Sequence, residues 1–210
     1  NKAEELYLMA LDINLKINTR FHPDVASLYN DLGLVCENQK KANEALEYHN
    51  EALNIRLALF GERHPAVANS YNSIASLYKD YKMYDEAMRF YEKSLEIRIH
   101  VLGENHDAVA TVYNNIATIH ANEGRYEEAR ERLTCALEID KKIFGDRHYK
   151  VGHVLLNLGT IDLESDEQKA AQELEQFLDI VSESYGSDSH NMAAACYDVA
   201  LAYYGVDDDK

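Results

Sequence analysis

A histidine returns every 42 residues along this chain, at His22, His64, His106 and His148. Three of them follow a glycine in one register, Gly61, Gly103 and Gly145, and each glycine follows Phe60, Leu102 or Phe144. A fixed period of this length is the mark of stacked units, none of which can bury its apolar face alone. It overrides the one or two globular domains that 210 residues would otherwise suggest, and predicts one array over residues 1–205.

Each unit opens with His, then Pro or a substitute, then Val–Ala. Pro23 and Pro65 suit a first helical turn, where a missing N–H has no partner to lose. Val67, Tyr71, Ile74 and Tyr78 then share one helical face, as do Val109, Tyr113, Ile116 and His120. Ala68, Ala75, Ala110 and Ala117 flank them, small enough for a second helix to come close. The polar segments Asp80–Met83 and Asn122–Arg125 read as turns. A second helix follows, carrying Ala87, Tyr91, Ser94, Leu95 and Ile97, matched by Ala129, Leu133, Ala136, Leu137 and Ile139. Gly103 and Gly145 are the expected stops. About ten helices in antiparallel pairs are expected.

Residues 1–21 align on the second half of the unit, with Ala3, Ala10, Leu11 and Ile13 matching Ala45, Ala52, Leu53 and Ile55. The chain is therefore expected to start inside a repeat of a longer protein. Full repeats begin near 22, 64, 106 and 148. The fourth is one residue short: Gly186 falls 41 residues after Gly145, which places the gap within Glu164–Lys169 and Ser189 at the histidine position. A partial repeat spans 189–205, its helix ending near Tyr204, and 206–210 reads as a frayed acidic tail.

The order Tyr71, Ile74, Ala75, Tyr78, then Ala87, Tyr91, Ser94 resembles the tetratricopeptide spacing of bulky and small residues, which favours that family over HEAT or armadillo repeats. The longer unit resembles the repeats of kinesin light chain, a form shared with nephrocystin-3-like and microbial proteins. The resemblance rests on Tyr113–Asn114–Asn115–Ile116–Ala117, Gly124–Arg125–Tyr126–Glu127–Glu128–Ala129, Ala136–Leu137–Glu138–Ile139 and Phe144–Gly145. It implies an all-α solenoid in a right-handed superhelix, and a cytoplasmic, cytoskeleton-associated adaptor whose groove takes up short segments of cargo proteins. The alternative is a structural scaffold that self-associates through open repeat ends or a convex face.

Beside the packed face, each first helix shows a polar row, and stacking would set these rows side by side. The peptide-binding residues expected there are Asn30, Asn69, Asn72, Ser76, Lys79, Thr111, Asn114, Asn115, Thr118, His153 and Asn157. A carboxamide both donates and accepts, so it can hold a peptide bond whatever side chain that residue carries. The competing reading is that these amides bond between helices. With Lys79 and His153 as its main cations, the wall is expected to prefer neutral or basic segments to acidic ones.

Net charge is −16, and residues 163–210 hold twelve Asp/Glu against Lys169 and Lys210. Such an excess repels nucleic acid and anionic lipid. No run approaches the length of a membrane-spanning helix. Cys36, Cys135 and Cys196 match no zinc or redox spacing and read as free thiols of a reducing compartment. Histidines one repeat apart cannot converge on one ion and read as turn residues. No metal, cofactor or enzymatic activity is expected, because no nucleophile is paired with a base.

Overall fold

The computed structural model describes residues 2–163 and 165–208, with side chains up to Tyr204. Among these residues all regular structure is helical: α1 (Lys2–Ile17), α2 (Pro23–Asn38), α3 (Ala42–Phe60), α4 (Pro65–Asp80), α5 (Tyr84–Leu102), α6 (Asp107–Asn122), α7 (Tyr126–Phe144), α8 (Tyr149–Asp162), α9 (Glu167–Tyr185) and α10 (His190–Asp208). They fall into two compact units, residues 1–104 with α1–α5 and residues 105–210 with α6–α10. In the first unit α2 pairs with α3 and α4 with α5, and α1 and α4 pack on α2 and α3. In the second, α6 pairs with α7 and α8 with α9, while α10 lies on α9 and α8.

The recurring histidines start the helices. Nδ1 of His22, His64, His106 and His148 accepts the backbone N–H two residues on, at 3.2, 3.1, 3.1 and 3.3 Å. Each satisfies a donor that a helix start would otherwise leave bare, the service Ser or Asp usually performs. His64 also stacks on Phe60 at 4.3 Å and His148 on Phe144 at 4.4 Å, which explains the aromatic before the glycine. Ser189 takes over the cap of α10, its Oγ accepting from Met192 N at 3.1 Å. Gly61, Gly103, Gly145 and Gly186 end the second helices at φ of 73–88°, in the region that favours glycine.

Between the paired helices a small residue on the first faces a large one on the second. A Cβ on Gly33 would lie 2.5 Å from the His49 ring, and one on Gly159 would lie 2.6 Å from Leu174 Cγ. Ala75 and Ala117 hold the same register, opposite the column continued by Tyr91 and Leu133; all four are buried. Ala45, Ala87, Ala129 and Ala170 are fully buried one turn away.

Two expectations need correction, and a third is narrowed. Val67, Ile74, Val109 and Ile116 are buried as foreseen, but Tyr71, Tyr78 and Tyr113 are only half-buried, because their rings reach the edge of the pair. Tyr91, by contrast, is fully buried. The last helix runs past Tyr204 to Asp208, leaving residues 209 and 210 of the acidic tail outside the described residues. The one-residue gap falls between Asp162 and Glu167, since α8 has 14 residues where α2, α4 and α6 have 16. Glu164, named for that gap, lies outside the described residues.

Candidate functional site

The polar rows lie on α2, α4, α6 and α8, and many of their groups are already engaged. In the first unit Asn30 is half-buried and its Oδ1 accepts from Ser73 Oγ at 3.4 Å. Asn69 is exposed and its Oδ1 accepts from Arg98 Nη2 at 3.1 Å. Asn72 is half-buried, with an amide oxygen that has no hydrogen-bond partner among the described residues. Ser76 is half-buried beside Tyr91, whose phenol is pushed up to about 12 by burial, the Ser76 hydroxyl opposing part of that rise. Lys79 sits 3.5 Å from Asp80.

In the second unit Thr111 and Thr118 turn their hydroxyls back on their own helix, donating to Asp107 O and Asn114 O, each at 3.0 Å. Asn157 Nδ2 donates to Asn114 Oδ1 at 2.8 Å, which joins the two first helices α8 and α6. Asn115 is half-buried next to it, and His153 is exposed. The asparagine rows therefore bond between helices, one of the two readings weighed from sequence. One lone pair or N–H ties neighbouring first helices together, and a carboxamide retains other valences for a ligand.

Sequence reasoning missed a second line of polar groups on the second helices. Arg56 donates from Nη1 to Ser70 Oγ at 2.7 Å, and Arg98, 6 % exposed, donates to Asn69. Burial holds the Arg56 guanidinium below its usual range. At the same register in the second unit stands Asp140, 5 % exposed, with Oδ1 lacking a hydrogen bond among the described residues. Burial pushes its carboxyl up, Asp107 adds to the rise, and Lys150 and His148 oppose it. The Arg56 and Arg98 guanidinium groups stand on the second helices, beside the first-helix rows that carry Lys79 and His153. The signal was the 42-residue spacing of Arg56 and Arg98, lost in a helix face that read as solvated.

A buried ionic cluster closes the fourth pair. Asp162, fully buried, meets Arg130 Nη2 at 2.5 Å and Lys169 Nζ at 2.7 Å. Burial and the Asp162 carboxylate push Glu173 up beside them. Among the described residues one group could offer metal ligands, Glu4, Cys36 and Glu44, with ligand atoms within 4.8 Å of one another. The Lys41 ammonium lies 3.5 Å from Glu4 and 3.3 Å from Glu44, so a cation is already supplied there. Burial, reinforced by Glu44 and Glu4, pushes the Cys36 thiol up, away from the thiolate that binds metal. No described helix is long and apolar enough to cross a membrane.

Comparison with known proteins agrees with this repeat geometry. The tetratricopeptide repeat profile matches residues 1–58, 24–100, 71–142 and 108–180. None of the curated proteins matches the sequence. Among solved structures, BtubC (BKLC) from P. vanneervenii superposes with a TM-score of 0.82 at 21% identity, covering 99% of this chain and 84% of that one. A putative kinesin light chain from P. anserina, with nearly identical TPR-like repeats, gives 0.69 at 21% identity over 87% of both chains. Aspartyl phosphate phosphatase F from Bacillus subtilis gives 0.78 at 13% identity, covering 98% of this chain and 51% of that one. At these identities the likeness is one of fold. With the repeat profile covering most of its length, the chain belongs to the tetratricopeptide repeat family.

Proposed function

We propose that the chain is a non-catalytic, cytoplasmic adaptor that captures short, extended segments of partner proteins on the polar rows of its first helices, the repeats of residues 1–205 acting as one array. The observation that carries this reading is the Asn157–Asn114 bond at 2.8 Å. It fixes the orientation of the Asn114 amide while leaving its N–H groups to meet a peptide carbonyl, and a pre-oriented donor loses little entropy on binding. Half-buried Asn72 holds the same register in the first unit, its amide oxygen enclosed and without a hydrogen-bond partner among the described residues. The segments preferred are neutral or basic, given the acidic residues beyond 163. The likeness in fold to a putative kinesin light chain and to the quorum sensor NprR is compatible with a binding role.

The test is titration of a defined panel of twelve-residue peptides, acidic, neutral and basic, against the intact chain and against the Asn72→Ala/Asn114→Ala pair. Each lost amide contact is worth on the order of 1 kcal/mol, so the pair should weaken binding roughly tenfold or more. Added salt should weaken only the basic peptides, through screening over about 8–10 Å. Unchanged binding in the double variant would place capture elsewhere.

The scaffold reading keeps a specific observation of its own. α1 exposes Met9, Ile13 and Ile17 at 61%, 53% and 73%, and α10 exposes Tyr197 and Tyr204 at 64% and 62%. Apolar exposure of this kind favours association. Light scattering of the same samples separates the two: an assembly that dissociates on Ile13→Glu while peptide binding stays absent throughout would favour the scaffold.

A further inference from the structure

The fourth helix pair departs from the other three at several aromatic positions together, and the departures surround one cleft. On α9, Phe177 stands where α3, α5 and α7 carry Ala52, Ser94 and Ala136. Gly152 makes room for it: a Cβ there would meet Phe177 Cδ2 at 3.3 Å. On α8, Tyr149 replaces the helix-opening Pro23, Pro65 and Asp107, and His153 replaces Ser27, Asn69 and Thr111. The His153 ring meets Tyr149 edge-on at 6.2 Å and lies 6.3 Å from Phe177. With Tyr185 of α9 these rings line an open cleft of about 190 Å³, and α10 closes its far side with Asn191, Ala194 and Asp198.

Spacing of three and four puts those α10 residues on one face. Asp198 is the one Asp, Glu, Lys or Arg side chain among the residues lining the cleft. The surrounding sequence, residues 163–210, adds eleven further carboxylates against Lys169 and Lys210. An aromatic wall with a single carboxylate fits a long side chain that is apolar along its stem and cationic at its tip. A guanidinium suits it better than an ammonium, because its plane can lie on a tyrosine ring while its fork engages a carboxylate.

We propose that this cleft is an anchor subsite for an arginine side chain of the captured segment, with Asp198 taking the guanidinium and Tyr149, Phe177 and Tyr185 taking the stem. It rests on the peptide-capture reading above, and it names what that reading leaves open: which residue of the segment sets its position.

The probes are three peptides, acetyl-Gly-Gly-X-Gly-Gly-amide, with X as arginine, citrulline or norleucine. Citrulline keeps the shape of arginine and removes the charge; norleucine keeps only an apolar stem. Amide resonances of the intact, isotope-labelled chain are followed by NMR at pH 8 as each peptide is added. The expected result is a set of shifts confined to α8, the end of α9 and α10, with arginine binding on the order of fivefold more tightly than citrulline. Asp198→Asn should erase that preference, and Tyr185→Ala, at an exposed ring, should weaken both peptides. Equal binding of arginine and citrulline, tighter binding of norleucine, or shifts elsewhere would each overturn the assignment. The twelve-residue panel keeps the two ideas apart. If Asn72→Ala/Asn114→Ala leaves panel binding intact while the arginine preference persists, the polar rows are wrong and the subsite stands. If the preference is missing while the double variant loses panel binding, the subsite is wrong and the rows stand.

Discussion

Residues 1–104 and 105–210 share one backbone plan and fill it with opposite chemistry. The second-helix position held by Arg56 and Arg98 in the first unit is held by Asp140 and Val181 in the second. The first-helix position held by Cys36 and Tyr78 becomes His120 and then Asp162, the last in a buried cluster with Arg130 and Lys169. The shared features are those that fix the backbone: the caps, the positive-φ glycines and the small residue facing a large one. The variable features lie where a side chain meets another side chain or water. A repeat of this kind is a frame whose geometry is set by a few columns, and binding character is written in the others.

The largest effect should come from breaking the ionic column of the second unit. Asp162→Ala leaves Arg130 and Lys169 facing each other over a gap, at about 3 kcal/mol, the lower end for a broken buried pair because both cations reach water. Cys36→Ala in the same column of the first unit removes one buried sulfur packed with Ala45 and Leu77 and should cost about 1 kcal/mol. Urea denaturation of both variants checks the contrast, and equal losses would mean that the cluster is not under ionic constraint.

Next comes the shared frame. Gly33→Ala and Gly159→Ala should each destabilise by about 1–3 kcal/mol, because the added methyl overpacks His49 or Leu174. Gly159 should be the more sensitive, since a Cβ there also comes within 3.2 Å of the Ala170 carbonyl, which is backbone and cannot swing aside. Thermal melts of the pair test the ranking.

Asp140 predicts a gain. Its carboxyl is raised in the folded chain, chiefly by burial, so the folded state holds that proton more tightly than the unfolded one. The penalty is complete above the folded value, and it fades as pH falls through that value to the unfolded one. Asp140→Asn should therefore stabilise by on the order of 1 kcal/mol at pH 7, with the advantage lost in acid. A gain that is equal at both pH values would mean that ionisation is not its source.

The smallest effect concerns the turn inside a helix pair. Lys82 adopts φ 59°, where the second unit has Gly124 at φ 73°. Lys82→Gly should stabilise by about 0.5 kcal/mol, relief of the left-handed conformation being partly offset by a freer unfolded chain, and Gly124→Ala should cost about 1 kcal/mol. Urea midpoints resolve both, and a loss on Lys82→Gly would show that the lysine side chain matters more than its backbone.

Helix pairing, the turns and the helix stops were legible because they depend on period and on glycine. The shortened fourth repeat was legible too, since Gly186 and Ser189 carry its register and Ser189 does cap α10. Half-burial of Tyr71 and Tyr113 was not, because a share in the apolar face does not say how far along the ring the partner helix reaches. The roles of Asn30 and Asn114 stayed open for a related reason. Whether an amide meets a ligand or the next helix depends on a side-chain direction that spacing alone does not contain. Arg56, Arg98 and Asp140 were missed because a charge on a second helix reads the same whether it faces water or the neighbouring pair.

The histidine caps have a consequence at the level of single protons. A ring nitrogen that accepts an amide N–H must present a lone pair, so in the neutral imidazole Nδ1 carries no hydrogen and the ring proton resides on Nε2. The bonds at His22, His64 and His148 thus select one tautomer at three helix starts, while at His106 the Asp107 carboxylate, 2.9 Å from Nδ1, competes for a proton on that nitrogen. Nitrogen-15 shifts of these imidazoles would then report, repeat by repeat, whether each first helix is closed at its beginning, and fraying of any one junction would register as a drift toward the mixed tautomers of a free ring.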